Sequence, residues 1–326
     1  MSHRKLRHSA KSLILLCCAV MVCGESLAAA HNTKGTNASK RFRFEAISEK
    51  SLGLWEGEHR VLVYNHGVIA STSAPNAKAR SSYFHPVYGL DGEVLTDDFP
   101  KDHVNHRGLH WAWPHIKIDD QEVDLWSLRD IRHEFQRWLA RETTAKGAVL
   151  GMENGWFVGD KRVLLEKVWA RIHPAGSHGR FIDLELSLTP EGKPISLWGA
   201  EGKSYGGLTL RFGPRTKTII TVPSGRSKED LLVAPLPWAD LSGDLKGVET
   251  LSGAAVFVHP KHPDYPPTWM TREYGLLAVG WPGITPQSLP AGKTISLSYR
   301  IWIHRGVPEP TEIQKVYDAY RNRSKN

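Results

Sequence analysis

The stretch "DHVNHRGLHWAWPH", Asp102 to His115, packs four histidines, an arginine, an aspartate and two tryptophans into fourteen residues. An imidazole titrates near neutral pH and can give or take a proton, and a neighbouring carboxylate fixes its tautomer. The same residue types can ligate a metal, and the indoles offer flat faces for a ligand with an apolar side. On this reading His106 is the acid or base and His103 its partner. Arg107 clamps an anion or hydroxyl, or else holds the loop through backbone carbonyls. The partner carboxylate is open among Asp98, Glu166, Glu201 and Glu273.

Other stretches carry similar types. "GAEGKSYGGLTLRF" places Glu201 and Tyr205 just before a strand, with Gly206 and Gly207 allowing close backbone approach. "PLPWADLSG" places Trp238 and Asp240 in a turn-rich segment. "HPKHPDYPPTWMTREYG" gathers His259, His262, Trp269, Arg272 and Tyr274 in a proline-stiffened loop, with Trp269 as a stacking face. Copper or zinc held by His103, His106 and a histidine of the 259 to 262 segment is an alternative use of the same residues. No H-E-x-x-H, P-loop or G-x-S-x-G pattern is present.

These residues need a scaffold, and its pattern is period two. "RFRFEAI", "HRVLVYN", "RVLLEKVWARIH", "RFIDLELSL", "LTLRF", "KTIITV", "GAAVFVH" and "KTISLSYRIWIH" read as strands bounded by Gly, Pro, Asn and Asp. The last alternates Ile295, Leu297, Tyr299, Ile301 and Ile303 with polar residues and one Trp, as a half-buried strand does. "HIKIDDQEVDLW" reads as a hairpin turning at Asp119-Asp120. Pro100, Gly108 and Pro114 break any helix through the histidine stretch, leaving a loop from Phe99 to Gly108 that enters the short strand "LHWAW". The segment 128 to 139 is ambiguous, and "TEIQKVYDAYRN" reads as a C-terminal helix started by Thr311 after Pro310. Many closely spaced strands without alternating helices predict an all-β fold: one large antiparallel β-sandwich, a super-sandwich similar to mutarotase-like folds, over residues 41–326 with the helix at its end.

Composition bounds the rest. Arg4, Lys5, Arg7 and Lys11 precede the apolar run "SLILLCCAVMVCG", and Ala28 and Ala30 form an A-x-A signal before His31. Residues 1–30 therefore read as a signal peptide and 31–40 as a flexible leader, with a periplasmic or secreted destination. The apolar run is short of the roughly 20 residues a bilayer span needs, so no membrane span is expected after cleavage. All three cysteines, Cys17, Cys18 and Cys23, lie in the signal. The mature chain is thus expected to have no disulfide, thiolate metal site or cysteine nucleophile. The net charge of +8 comes with no basic stripe or nucleic-acid motif, so no nucleic-acid partner is expected. All 12 tryptophans lie beyond the signal.

"SYFHPVYGLDGEVLTDDFPKDHVNHRGLHWAW", "YGGLTLRF", "WADLSG" and "VFVHPKHPDYPPTWMTREYGLLAV" resemble, in this order, the blocks of a bacterial family of PmoA-like proteins, over roughly residues 45 to 305. The label is borrowed from a methane oxygenase subunit, a bundle of long apolar helices. This chain offers none after its signal, so methane oxidation is not expected. The resemblance implies an exported protein in a carbohydrate-degrading setting. It carries over His85, His103, His106 and Arg107 from the first block, and His259, Trp269 and Tyr274 from the last.

Together these readings predict an exported carbohydrate-active protein, an enzyme of epimerase, lyase or hydrolase type using histidine acid/base chemistry on a small-molecule or oligosaccharide ligand. A non-catalytic polysaccharide-binding module is the second reading, and the His-ligated metalloprotein the third.

Overall fold

The computed structural model describes residues 41–323 apart from 73, 76 and 77. The signal peptide and leader expected for 1–40 lie outside the described residues.

Alternation of apolar and polar side chains builds two large antiparallel sheets. The first has nine strands in the spatial order β1 (Phe42–Ser48), β2 (Ser51–Glu56), β3 (His59–Asn65), β4 (Tyr83–Val87), β5 (Leu109–Ala112), β13 (Gly207–Arg211), β20 (Leu276–Gly280), β19 (Thr268–Arg272) and β16 (Ala234–Pro235). The second runs β15 (Gly225–Arg226), β14 (Arg215–Val222), β17 (Trp238–Leu245), β18 (Ser252–Val258), β22 (Ile295–Arg305), β11 (Arg180–Pro190), β10 (Lys161–Ile172), β9 (Gly147–Val158) and β8 (Arg132–Thr144). A small sheet of β21 (Gln287–Leu289), β12 (Ile195–Trp198), β6 (His115–Ile118) and β7 (Gln121–Val123) includes the expected hairpin, with Asp119 in the left-handed region at its turn.

Between the large sheets lies one contiguous core. Leu54, Leu62, Phe84, Trp111 and Leu208 of the first meet Leu150, Val168, Leu184, Leu186 and Leu297 of the second. Along β11 buried and half-buried residues alternate strictly, as a strand with one face on a core must. The ambiguous segment is β8, a strand whose register slips between Phe135 and Arg137 and again between Trp138 and Ala140. Those irregularities break the period-two pattern. Gly207, with φ +135°, passes so close to β20 that an added Cβ would lie 2.5 Å from the Val279 carbonyl oxygen.

The helix α1 (Pro310–Arg323) begins one residue earlier than expected, with Pro310 in the first helical turn, where its missing N–H costs nothing. It lays Ile313, Tyr317 and Tyr320 on Trp238, Phe257 and Trp302 of the second sheet. That contact buries both faces of β22 over its second half, where the sequence pattern implied one. Trp238 and Asp240 likewise sit on a strand rather than in a loop: the Trp238 indole donates to Gln314 of the helix, and Asp240 bonds buried His304. Among the described residues no helix is long and apolar enough to cross a membrane.

Candidate functional site

The central strands β5, β13 and β20 of the first sheet are buried along their whole length. Alternation sends Trp111, Leu208 and Leu210 into the core and turns His110, Thr209 and Arg211 the other way. Loop segments close over this outer face. Arg107 donates to the carbonyl of Lys78 and Arg80 to those of Leu125 and Trp126, tying three segments to one another.

Above them opens a cleft of about 430 Å³, within the size range of small-molecule sites. Its aromatic walls are Trp126, Tyr205 and Tyr274. The Trp126 and Tyr205 rings lie 4.5 Å apart, and burial raises both tyrosine pKa values, keeping the phenols as neutral donors. His103 stacks at 4.8 Å on Tyr274 and at 4.6 Å on His106. Asn105, Lys203, Asp124, Asp230 and Arg272 complete the polar lining.

His103 belongs to a relay. Its Nδ1 lies 3.0 Å from Asp102 Oδ2, and Arg211 Nη2 donates to both Asp102 oxygens at 2.8 and 2.9 Å. Burial opposes ionisation of Asp102, but the hydrogen bonds from His103 and Arg211 outweigh it and hold the carboxyl down at about 2. An ionised Asp102 orients the imidazole through this hydrogen bond. The Arg211 guanidinium sits 4.7 Å from the Tyr274 ring centroid and so buttresses the opposite wall.

His106 is different. It is buried, and its Nδ1 has no hydrogen-bond partner among the described residues. Burial, then the positive charges of His103 and Arg211, lower it to about 3, so it is neutral at physiological pH. The bonded carboxylate and the exposed position thus belong to His103, expected as the partner, while His106, expected as the acid or base, is the buried ring it stacks on.

The expected residues separate further. Arg107 is wholly buried, with its guanidinium on the carbonyls of Val104, His106 and Lys78, on Asp98 at 3.4 Å and over the Phe99 ring at 3.5 Å. It is a loop anchor, buried away from the cleft and no part of its lining. Trp269 is no stacking face, because it is buried in the core on β19 and donates to the Leu236 carbonyl. His85 and Asp98 line a separate, more apolar hollow beside β2 and β3, where burial lowers His85 to about 4 and raises Asp98 to about 6. Glu201 is exposed at a turn outside the cleft. His259 packs on Tyr320 of α1, and His262 bonds Tyr299, so neither joins His103 and His106. Among the described residues no three His, Cys, Asp or Glu side chains converge to hold a metal. Of the eligible carboxylates, Glu166 is sealed in the core and exposed Glu273 borders a neighbouring groove.

Sequence reasoning missed Trp126, Asn105, Lys203 and Asp124. The spacing Asp124-x-x-Ser127, in which Asp124 accepts from the Ser127 N–H and hydroxyl at 2.8 and 2.6 Å, marks a turn presenting Trp126 and was the available signal.

Comparison with curated proteins returns no match. Among solved structures the chain is similar to a putative kojibiose phosphorylase from the human microbiome, at 11% identity and TM-score 0.39 over 85% of this chain and 32% of that one. It is similar to a mutant of the heparan sulfate lyase HepC from Pedobacter heparinus, at 8% and 0.41 over 84% and 36%. A galactose mutarotase related enzyme from Lactobacillus acidophilus is similar at 9% and 0.37 over 82% and 99%. The chain thus corresponds to about a third of the length of the first two. At these TM-scores no residue role is taken from any of them. Residues 54–318 match the family described as "Family of unknown function (DUF6807)", and the chain belongs to that family.

Proposed function

We propose that this is an exported carbohydrate-active protein whose cleft binds a sugar, with His103 as the proton donor or acceptor and Asp102 and Arg211 as the groups that position it. The observation that carries the reading is the Arg211–Asp102–His103 relay opening into a cleft walled by Trp126, Tyr205 and Tyr274. Aromatic faces take the apolar side of a pyranose ring, and the surrounding amide, phenol, ammonium and carboxylate groups match its hydroxyls. His106, neutral and close-packed against His103, keeps a second positive charge away from the imidazole that changes protonation.

A non-catalytic polysaccharide-binding role is favoured by one observation. Both cleft carboxylates are already engaged, Asp124 by Ser127 and Asp230 by Arg272 and the Glu273 N–H, so neither is free as a second catalytic group.

A thermal-shift titration of residues 31–326 against sugars and against divalent metals tests the site, since a ligand of the folded state raises the melting temperature by mass action. A rise with a sugar that is lost in Trp126→Ala is expected. A rise with copper or zinc alone, lost in His103→Ala, would replace the reading with a metal site. Export is tested by N-terminal sequencing of the protein from its native host: a first residue of His31 is expected, and an intact Met1 would contradict it.

A further inference from the structure

Beside the cleft, a second groove of about 530 Å³ runs along Phe99, Pro100 and Phe212. Tyr274 lines both hollows. It is among the few large apolar side chains left exposed, at 37%. The relay straddles the same divide, with Asp102 on the wall of the groove and His103 on that of the cleft. Each hollow alone has the volume of a small-molecule site, so a single sugar in one leaves the other unfilled.

We propose that the site takes at least two linked sugar units rather than a free monosaccharide. One unit lies in the cleft beside Trp126 and the next in the groove, with the linkage crossing Tyr274 over the His103–Asp102 pair. This rests on the carbohydrate reading above and sharpens it: the atoms nearest the imidazole are those of the bond between two sugars, not those of a free ring-closing hydroxyl.

The groove suits a neutral sugar. Phe99, Pro100 and Phe212 give it an apolar floor, while Lys101, Arg211 and Arg215 stand against Asp97, Asp102 and Glu273. Opposite charges in equal number offer donors and acceptors to hydroxyls and no track for a run of carboxylates or sulfates. Arg215 donates through Nη1 and Nη2 to the Gly213 and Glu273 carbonyls, and Arg211 through Nη2 to Asp102. Lys101 is exposed and enters no ion pair among the described residues, so its ammonium is available at the groove's open side.

Calorimetric titration of residues 31–326 with length ladders of one to four units tests this, using cello-oligosaccharides, xylo-oligosaccharides and oligogalacturonides. In a neutral ladder that binds, affinity should rise about tenfold or more from one unit to two. Thr218→Trp, which fills the groove from half-buried Thr218 on β14, should abolish that rise and leave single-unit binding unchanged. Lys101→Ala, at an exposed side chain that the fold does not need, should reduce the rise about two- to fivefold. A flat ladder, a rise that persists in both variants, or tighter binding of the oligogalacturonides than of either neutral ladder would overturn the proposal while leaving the cleft a sugar site. Failure of every ladder, single sugars included, would overturn the carbohydrate reading and this inference with it.

Discussion

Two histidine–carboxylate pairs of almost equal length sit in opposite surroundings. His133 Nε2 lies 2.9 Å from Glu166 in the core, with side-chain exposures of 2% and 0%, and His103 Nδ1 lies 3.0 Å from Asp102 at the cleft, with 42% and 43%. Glu166 also accepts from the Trp111 and Trp156 indoles at 2.8 and 2.9 Å and from the Asn154 amide at 2.8 Å. Four donors from three other strands fill its acceptor sites, and one of them, Trp111 of β5, belongs to the first sheet, so the carboxylate stitches the two sheets together. Asp102, in contrast, is fixed by one arginine and spends its remaining capacity on an imidazole that faces open space. A histidine and a carboxylate at nearly the same distance make a structural rivet where water is shut out and, in the function proposed above, an acid/base group where it is not. Burial and the number of competing donors separate the two roles.

The comparison breaks first at Glu166. Glu166→Gln leaves four donors facing an uncharged amide, one end of which is itself a donor. Breaking a buried pair of this kind costs about 3 kcal/mol or more. Urea unfolding should show that loss, and a loss under about 1 kcal/mol would mean the pair is not a rivet. The pH dependence has a definite sign. Burial opposes ionisation, but His133 and the N–H donors hold Glu166 below its ordinary carboxylate value. Its stabilisation is therefore present above the unfolded value of about 4.3 and is lost as pH falls through the lower folded value. The urea midpoint should drop below about pH 4, less steeply in Glu166→Gln.

A smaller effect is expected at Arg107, which joins the two regions by pinning the histidine loop to the sheet. Arg107→Ala strands the carbonyls of Lys78, Val104 and His106 and should cost about 2 kcal/mol, with binding at the cleft weakened through the loosened loop. Unchanged stability would show that the loop holds itself. The smallest is Tyr274→Ala. It removes a stacking face worth about 1 kcal/mol, or about fivefold in sugar affinity by calorimetry, and should leave the urea midpoint unmoved because the ring is 37% exposed.

Much of the fold was legible because period two survives in single strands. All eight apolar alternations fall on strands, and Glu166 is in phase with Leu164, Val168 and Ala170, which already places a carboxylate on the core face of β10. What occupies its oxygens was not legible, since Trp111, His133 and Asn154 come from three other strands. The histidine loop announced a site through its composition, yet residue types could not divide the labour within it. Arg107 and His106 adjoin, and only burial shows one as an anchor and the other as a neutral ring. Trp269 looked available because four prolines precede it, whereas the chain enters β19 right after them and sends it inward. Trp126 was hidden for the opposite reason: it follows a plain hairpin, and its place above His106 and His110 depends on how loops cross the sheet.

The most direct test of the acid/base assignment is turnover of the sugar identified by titration, compared between the native protein and His103→Gln, with binding measured in parallel. Gln keeps the size and one hydrogen bond to Asp102 but cannot carry a proton. The account predicts that kcat falls about 100-fold or more while affinity changes less than about threefold and the urea midpoint is unmoved. Full turnover in His103→Gln would contradict it and leave the cleft as a place where sugars are held and not changed.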